Sequence, residues 1–349
     1  MLFETTTERL LLRRPTAADR DFYLRLHGDE RLYRHAPYAR VDADTGAAQF
    51  AKLLECWEDN GFGYWIACDT STGMPLGWAG VRPATSGALN LYYRFAAEAH
   101  GQGLAREAAR AAVTTATEWL PGRRIEAVAK VHNDASIRTA RSAGLLPVGT
   151  RQLEIDPPGS GASMILVAPQ VVRVDVITES DREALIALWM RVNDSGGSVG
   201  FLPGAPRARV EGALVEHGAQ MAAGRAFGVA LRDPDGTLAG WAWWVKTTNP
   251  LLAHVRWLYR LMVSPERQGR NLGSILMAGL IGCARADRGE LLRLDYRSGG
   301  GLGDFYARFG FTEVGRVGGG IRVAPGDERD EVSMARRTDG APLTLEGRT

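Results

Sequence analysis

The sequence of 349 residues has few cysteines, no long apolar run and almost no net charge. Its three cysteines, Cys56, Cys68 and Cys283, are far apart, which favours small buried side chains over a disulfide framework or a metal site. The longest apolar run, 275–284, is shorter than the ~20 residues that a membrane-spanning helix needs. No basic segment followed by an apolar one opens the chain, so no secretory signal is predicted. We therefore expect a cytoplasmic protein without a metal or a membrane partner.

The charges are balanced in number and in position. The chain has 42 basic and 40 acidic residues, and its first 168 residues carry 19 of each. Neither half is a polycation, so the sequence gives no electrostatic basis for a nucleic-acid partner. A hydrophobic content of 45% and a charged content of 23% are typical of a globular protein. The length is sufficient for two domains.

The most informative stretch of the sequence is 259–274, together with the strand residues just before it. Alternation of Trp257, Tyr259, Leu261 and Val263 with less apolar residues predicts a strand. The segment 268–273 then leads directly into an apolar helix. A turn of this kind leaves unpaired N–H groups at the start of the helix, which suits a pyrophosphate. An ordinary α/β connection without a ligand is the alternative.

The same layout occurs twice. Residues 100–105 follow a predicted strand and precede an alanine-rich helix, 168 residues before the second copy. Trp78 is echoed by Trp241 in a similar context, and Gly144 is echoed by Gly310. The near-constant offset indicates an internal duplication of about half the chain.

Both halves resemble the GCN5-related N-acetyltransferase (GNAT) superfamily. Its pyrophosphate loop reads Arg/Gln-x-x-Gly-x-Gly/Ala. The second copy has Gln268, Asn271 and Gly273 in these places, with Asn where Gly is usual, and the first copy has His in the leading place. The resemblance implies an α/β (α+β) fold with two tandem domains, 1–168 and 171–337. Each would have a mixed, mostly antiparallel central sheet, splayed between strands 4 and 5, with helices on both faces. Residues 338–349 are predicted to form a disordered tail.

The resemblance also implies acetyl-CoA as co-substrate, bound by the two loops and by backbone amides of the strand before each loop. The residues that it assigns to the coenzyme are Leu91, Tyr92, Tyr93, Gly101, Gln102, Gly103, Leu104, Ala105, Arg106 and Asn133 in the first half, and Leu261, Met262, Val263, Gln268, Gly269, Arg270, Asn271, Leu272, Gly273 and Ser274 in the second.

Two residues of the second half are candidates for proton transfer. Tyr306 lies in a segment similar to the family's Phe-Tyr-x-x-x-Gly-Phe, where the tyrosine protonates the leaving thiolate. Asp295 lies on the preceding strand, where a carboxylate could accept the proton of the amine. The second half resembles the tabtoxin-resistance branch of the family, in which the matching pair is implicated. The alternatives are a packed tyrosine and a surface aspartate.

The first half resembles the branch that acetylates the N-termini of ribosomal proteins. In that branch the residue matching Asn133 contacts the coenzyme, and the one matching Ser136 can protonate the thiolate. Helix capping by Asn133 and Ser136 is the alternative. No tyrosine occupies the place that Tyr306 has in the second half.

The predicted function is acetyl-CoA-dependent N-acetylation of a primary amine of a small metabolite or antibiotic-like compound, by direct transfer in a ternary complex. The second half is expected to be the catalyst. The alternative is that one half, the first in preference, is a non-catalytic coenzyme-binding or structural module, or acetylates protein N-termini. A dinucleotide-binding fold is disfavoured because no Gly-x-Gly-x-x-Gly is present. The expected partner is a small amine, and the expected assembly is a monomer or homodimer.

Overall fold

The computed structural model describes residues 4–153 and 156–343. It divides into two compact units: one runs to Gln170 and also takes in residues 269–271, and the other comprises the rest. Each unit is built on its own sheet. Of the predicted tail, residues 344–349 lie outside the described residues. Thr338, where that tail was expected to begin, is buried and donates a hydrogen bond from Oγ1 to the carbonyl of Gly289 at 2.8 Å.

The first unit has eight strands and four α-helices among its described residues. The strands are β1 (Thr5–Thr6), β2 (Leu10–Arg13), β3 (Tyr64–Asp69), β4 (Pro75–Pro83), β5 (Leu89–Phe95), β6 (Ile125–Lys130), β7 (Leu146–Arg151) and β8 (Ser163–Val167). The helices are α1 (Arg20–Gly28), α2 (Ala43–Asn60), α3 (Leu104–Trp119) and α4 (Asp134–Ser142). The sheet order is β1-β2-β3-β4-β5-β6-β8-β7, and the pair β5–β6 is parallel while the other neighbours are antiparallel.

The second unit repeats this plan with seven strands and four α-helices in its described part. The strands are β9 (Gln170–Val174), β10 (Ala226–Arg232), β11 (Leu238–Val245), β12 (Val255–Val263), β13 (Leu291–Arg297), β14 (Thr312–Ala324) and β15 (Asp327–Arg337). The helices are α5 (Glu179–Asp194), α6 (Arg207–Ala222), α7 (Leu272–Ala286) and α8 (Leu302–Ala307). The sheet order is β14-β15-β13-β12-β11-β10-β9, and β12–β13 is the parallel pair.

Helices cover both faces of each sheet. In the second unit, Trp243 of β11 packs against Trp189 of α5 and stacks on His217 of α6, with ring centroids 5.5 and 4.3 Å away. The next residue, Trp244, points to the other face and donates from Nε1 to the carbonyl of Leu280 in α7 at 2.8 Å. Helix α7 is apolar on nearly all sides and is buried accordingly. The predicted fold class is confirmed.

The side-chain burial expected for β12 is wrong. Val255, Arg256, Leu258 and Met262 are buried, whereas Tyr259 is 44% exposed. The register of β12 against β11 shifts between Tyr259 and Met262, which marks a β-bulge. A bulge inserts one residue, so it reverses the faces of the residues that follow.

In the described part of the chain, no helix combines the length and apolar character needed to cross a membrane. No three histidine, cysteine or acidic side chains of these residues are grouped so that they could hold a metal ion.

Candidate functional site

The two predicted phosphate loops have the same backbone conformation. Gly101 and Gly269 both have a φ of 78°, and two residues later Gly103 and Asn271 have φ values of 79° and 65°. Each left-handed pair is preceded by a short 3₁₀ turn and followed at once by a long helix, α3 or α7. Asparagine adopts left-handed backbone more readily than other side chains, which explains why Asn271 can replace a glycine.

The predicted loop residues lie at the start of these helices. Gly101, Gln102 and Gly103 precede α3, and 104–106 form its first turn; 268–271 precede α7, and 272–274 form its first turn. No side chain caps α3, and the first helical bond of its backbone runs from the N–H of Glu107 to the carbonyl of Gly103. The amides of 104–106 therefore remain available for an anion.

Arg9 contacts the first loop and stabilises it. Its Nη1 donates to the carbonyl of Gln102 at 2.8 Å, and its Nη2 lies 2.6 Å from Oε2 of Glu107. Glu107 also accepts a hydrogen bond from Thr7 Oγ1 at 2.6 Å. These contacts tie the start of the chain to the loop and place a cation beside the amino end of α3.

The first sheet opens beside its loop. Strand β5 pairs with β6 only through its first two residues, Leu89 and Asn90. The N–H of Leu89 donates across to the carbonyl of Arg124 at 2.7 Å. Because the direction of the N–H alternates along a strand, the amides of Leu91 and Tyr93 also point to this side, where β6 has diverged. The amide of Tyr92, which lies between them, points towards β4 for the same reason.

The second sheet opens at the equivalent place. Strand β12 pairs with β13 only over residues 255–257. The N–H of Ser264 donates to the carbonyl of Ala239 in β11 at 2.9 Å. Alternation therefore directs the amides of Leu261 and Val263 into the opening and that of Met262 towards β11. Strand β5 shows no register shift against β4, whereas β12 carries its bulge in the opened part, with Arg260 at a φ of 56°.

Asp295 and Tyr306 lie on opposite faces of the second sheet. Asp295 is exposed on β13 and accepts a hydrogen bond from Ser333 Oγ of β15 at 2.5 Å. The next residue, Tyr296, faces the other way, and its ring centroid is 5.9 Å from that of Tyr306 in α8. The carboxylate therefore faces α5 and α6, and the phenol faces α7 and α8.

The surroundings of Tyr306 keep its phenol in the protonated, neutral form. It is 7% exposed and packs against the rings of Tyr296, Phe305 and Phe311. Its hydroxyl makes no hydrogen bond with the residues that the structure describes. Burial raises the pKa of the phenol well above its ordinary value, because the charged form would be poorly solvated. The group is consequently a neutral donor without a hydrogen-bond acceptor among the described residues.

In the first unit, Asn133 and Ser136 come together with the opened strand. Asn133 Oδ1 accepts the N–H of Ser136 at 3.1 Å, so Asn133 caps α4. The hydroxyl of Tyr93 in β5 donates to the carbonyl of Ser136 at 2.7 Å and lies 3.1 Å from its Oγ. By register, the counterpart of Asp295 is Val128, since each lies two residues beyond the last β5–β6 or β12–β13 pair. This unit therefore lacks a carboxylate at that position.

A polar cluster on the other face of β5 was not predicted. The hydroxyl of Tyr92 lies 3.1 Å from Nε2 of His27 in α1, and its ring stacks on Tyr64 at 5.0 Å. Tyr64 accepts from Asn90 Nδ2 at 2.5 Å. Burial lowers the pKa of His27 to about 4, so the imidazole is neutral. These residues are distant in sequence, and no local pattern connects them.

Comparisons with known proteins agree with this geometry. Models of the family described as "Acetyltransferase (GNAT) domain" match twice, at residues 9–146 and 223–313. The chain belongs to the GNAT acetyltransferase family. No curated protein sequence matches it.

Solved GNAT structures each align with about half of the chain. An acetyltransferase from Agrobacterium tumefaciens str. C58 is 22% identical, with a TM-score of 0.40, over 48% of this chain and 94% of its own. A ribosomal-protein-alanine N-acetyltransferase from Brucella melitensis is 18% identical, with a TM-score of 0.40, over 48% of this chain and 98% of its own. The ribosomal-protein-S18-alanine N-acetyltransferase from Escherichia coli is 18% identical, with a TM-score of 0.38, over 52% and 99%. The two family matches, at 9–146 and 223–313, make this chain a tandem GNAT protein.

Proposed function

We propose that the chain transfers the acetyl group of acetyl-CoA to a primary amine of a small metabolite or antibiotic-like compound. Transfer is direct, within a ternary complex, and the second domain is the catalyst. The observation that carries this proposal is the opened strand β12, with Asp295 on one face of the sheet and Tyr306 on the other.

The residues present fit acetyl-CoA. The left-handed turns before α3 and α7 expose backbone amides that suit a diphosphate. The unpaired parts of β5 and β12 offer further amides, those of Leu91, Tyr93, Leu261 and Val263, to an extended arm and its thioester carbonyl. Acetyl-CoA supplies the activated acyl group. The amides hold the carbonyl and stabilise the negative charge that develops on its oxygen.

The proton transfers fall to two side chains. Asp295 accepts the proton that the amine loses as its nitrogen forms a bond to the carbonyl carbon, directly or through water. Tyr306 donates its proton to the thiolate as the carbon–sulfur bond breaks. The placement of Asp295 and Tyr306 on opposite faces of the sheet supports this assignment, because the amine and the leaving thiolate lie on different sides of the reacting carbonyl carbon.

For the first domain we propose coenzyme binding without turnover of small amines. It has the loop and the opened strand, but Val128 stands in the place of Asp295 and the strand has no bulge. Ser136 beside Tyr93 favours acetylation of a protein N-terminus as the competing candidate, with Ser136 as the proton donor.

The test uses the full chain. Thiol release is measured with a panel of small amines and with peptides that have free N-termini, and the stoichiometry of acetyl-CoA binding is measured by calorimetry. We expect turnover of small amines and two coenzyme sites per chain. Absence of thiol release with every acceptor would overturn the proposed activity, and one site per chain would overturn coenzyme binding by both domains.

A further inference from the structure

Arg260 is an arginine in an unusual backbone position. Its φ of 56° places a non-glycine residue in left-handed conformation within a strand, at the bulge of β12. Strain of this kind persists where the surrounding structure fixes it, and it concentrates at functional sites. The residue lies where β12 has already separated from β13.

The guanidinium of Arg260 has no carboxylate in direct contact, although Glu216 interacts with it electrostatically. Nη1 donates to the carbonyl of Val199 at 2.8 Å, and Nε donates to Nε2 of His217 at 3.0 Å. The group lies over the rings of Trp189 and Phe201, 4.6 and 5.6 Å from their centroids. Arg260 forms no ion pair with the described residues, and its Nη2 makes no hydrogen bond with them. A half-buried cation in aromatic surroundings normally has an anionic partner.

A second arginine approaches from the other side of the opening. Arg297 lies two residues after Asp295 on β13, so both side chains are on the same face. Its Nη2 donates to the carbonyl of Gly196 at 2.7 Å. Arg297 also forms no ion pair with the residues described. Arg260 and Arg297 thus hold one loop, 195–201, from the two strands that separate, and both keep unused N–H donors.

A third arginine lies near Asp295. Arg293, two residues before it, lies on the same face with its guanidinium 4.2 Å from the ring centroid of Trp257 and has no ion pair among the described residues. Three arginines share this face with two carboxylates, those of Asp295 and of Glu331, which stands opposite Arg297 on β15. An acceptor with only an amine would leave Nη2 of Arg260 without a hydrogen-bond acceptor.

We propose that the acceptor of the second domain carries a carboxylate close to its amine, bound by Arg260 and Arg297, while Asp295 receives the proton of the amine. The inference rests on the proposed function and specifies its substrate as an amino acid or a compound with that arrangement. A carboxylate matches the planar fork of a guanidinium, which offers two parallel N–H donors.

The test compares binding of matched acceptors to the full chain by calorimetry, without acetyl-CoA. The probes are the standard L-amino acids, their carboxamides and phosphoethanolamine. We expect at least one amino acid to bind about tenfold or more tightly than its carboxamide, since a hydrogen bond between charged groups is lost in the amide. Arg260→Met and Arg297→Gln should each bring that ratio close to one. The matched control Arg322→Gln, in an exposed pair with Glu328, should leave it unchanged.

The possible outcomes separate the inference from the activity. Equal binding of acid and amide forms, no binding of any amino acid, a preference for phosphoethanolamine, or a preference that survives both substitutions would overturn the carboxylate site even if amines are acetylated. Loss of thiol release with all amines would overturn the proposed activity. The ratio of the affinities for an amino acid and for its carboxamide would still show whether the carboxylate site exists. If Arg260→Met does not fold, Arg260→Lys and Arg297→Gln provide the same comparison.

Discussion

Gly103 and Asn271 occupy the same left-handed position, immediately before the first residue of a long helix, with φ values of 79° and 65°. The turns around them match residue for residue, including the left-handed glycine two places earlier. The two halves of the chain therefore keep one backbone shape with different side chains. Asparagine is strained there more than glycine and less than other residues.

The first prediction concerns this strain. Asn271→Ala should lower the free energy of unfolding by about 1 kcal/mol, because alanine lacks the side-chain amide that favours the left-handed region. Asn271→Gly should be neutral or slightly stabilising. Differential scanning calorimetry measures both, with Arg270→Ala as the control at a neighbouring position. An Asn271→Ala protein as stable as the wild type would contradict the argument.

The second prediction tests the proton donor. Tyr306→Phe should reduce kcat about 10²-fold or more and leave the KM for acetyl-CoA unchanged, because only the transfer to the thiolate is affected. Since burial raises the pKa of this phenol, the wild type should not lose kcat at alkaline pH through ionisation of Tyr306. Tyr296→Phe, the ring beside it on the same face, is the control. Equal losses in both variants would remove Tyr306 from the mechanism.

The third prediction tests the proton acceptor. Asp295→Asn should lower kcat/KM for the amine about 10²-fold, and the loss should shrink as pH rises and more of the free amine is unprotonated. Asp304→Asn removes the same charge from an exposed position in α8 and should have a small effect. The pH profiles of initial rates make the comparison. A loss that does not vary with pH would argue for a structural role of Asp295.

Much of the fold could be predicted from the sequence because the two halves carry the same sequence features in the same order. The repeated turns fix which strand precedes which helix, and the resemblance supplies the splay that the short β5–β6 and β12–β13 pairings confirm. The bulge at Arg260 could not be predicted. One inserted residue has no local signature, and the apolar alternation of β12 continues through it with the faces exchanged.

The candidate site was predictable where it depends on local sequence. Tyr306 and Asp295 stand in short motifs, and the structure gives each a different face of the sheet. The contacts of Arg260 with His217 and Val199, and of Tyr92 with His27, join segments far apart in the chain. Such pairs arise from packing of helices on the sheet, which no pattern within one segment records.

The fourth prediction asks which domain works on small amines. Ser136→Ala removes the candidate donor of the first domain, next to Tyr93. It should leave thiol release with small amines within about twofold of the wild type, since a catalyst in the second domain does not use it. Comparison with Tyr306→Phe under the same conditions is the measurement. A large loss in Ser136→Ala, with little in Tyr306→Phe, would move catalysis to the first domain.

The last prediction concerns stability at low pH. Burial lowers the pKa of both His27 and His217 from 6.5 to about 4 in the folded chain. Between these values the unfolded chain binds a proton that the folded chain does not, so stability is lost as pH falls from about 6.5 to 4. Each histidine contributes up to about 1.4 kcal/mol per pH unit in this window. His27→Gln and His217→Gln should each flatten the pH dependence of thermal unfolding, and His254→Gln, at an exposed position, should not. An unchanged slope in the first two variants would show that these imidazoles are protonated in the folded protein.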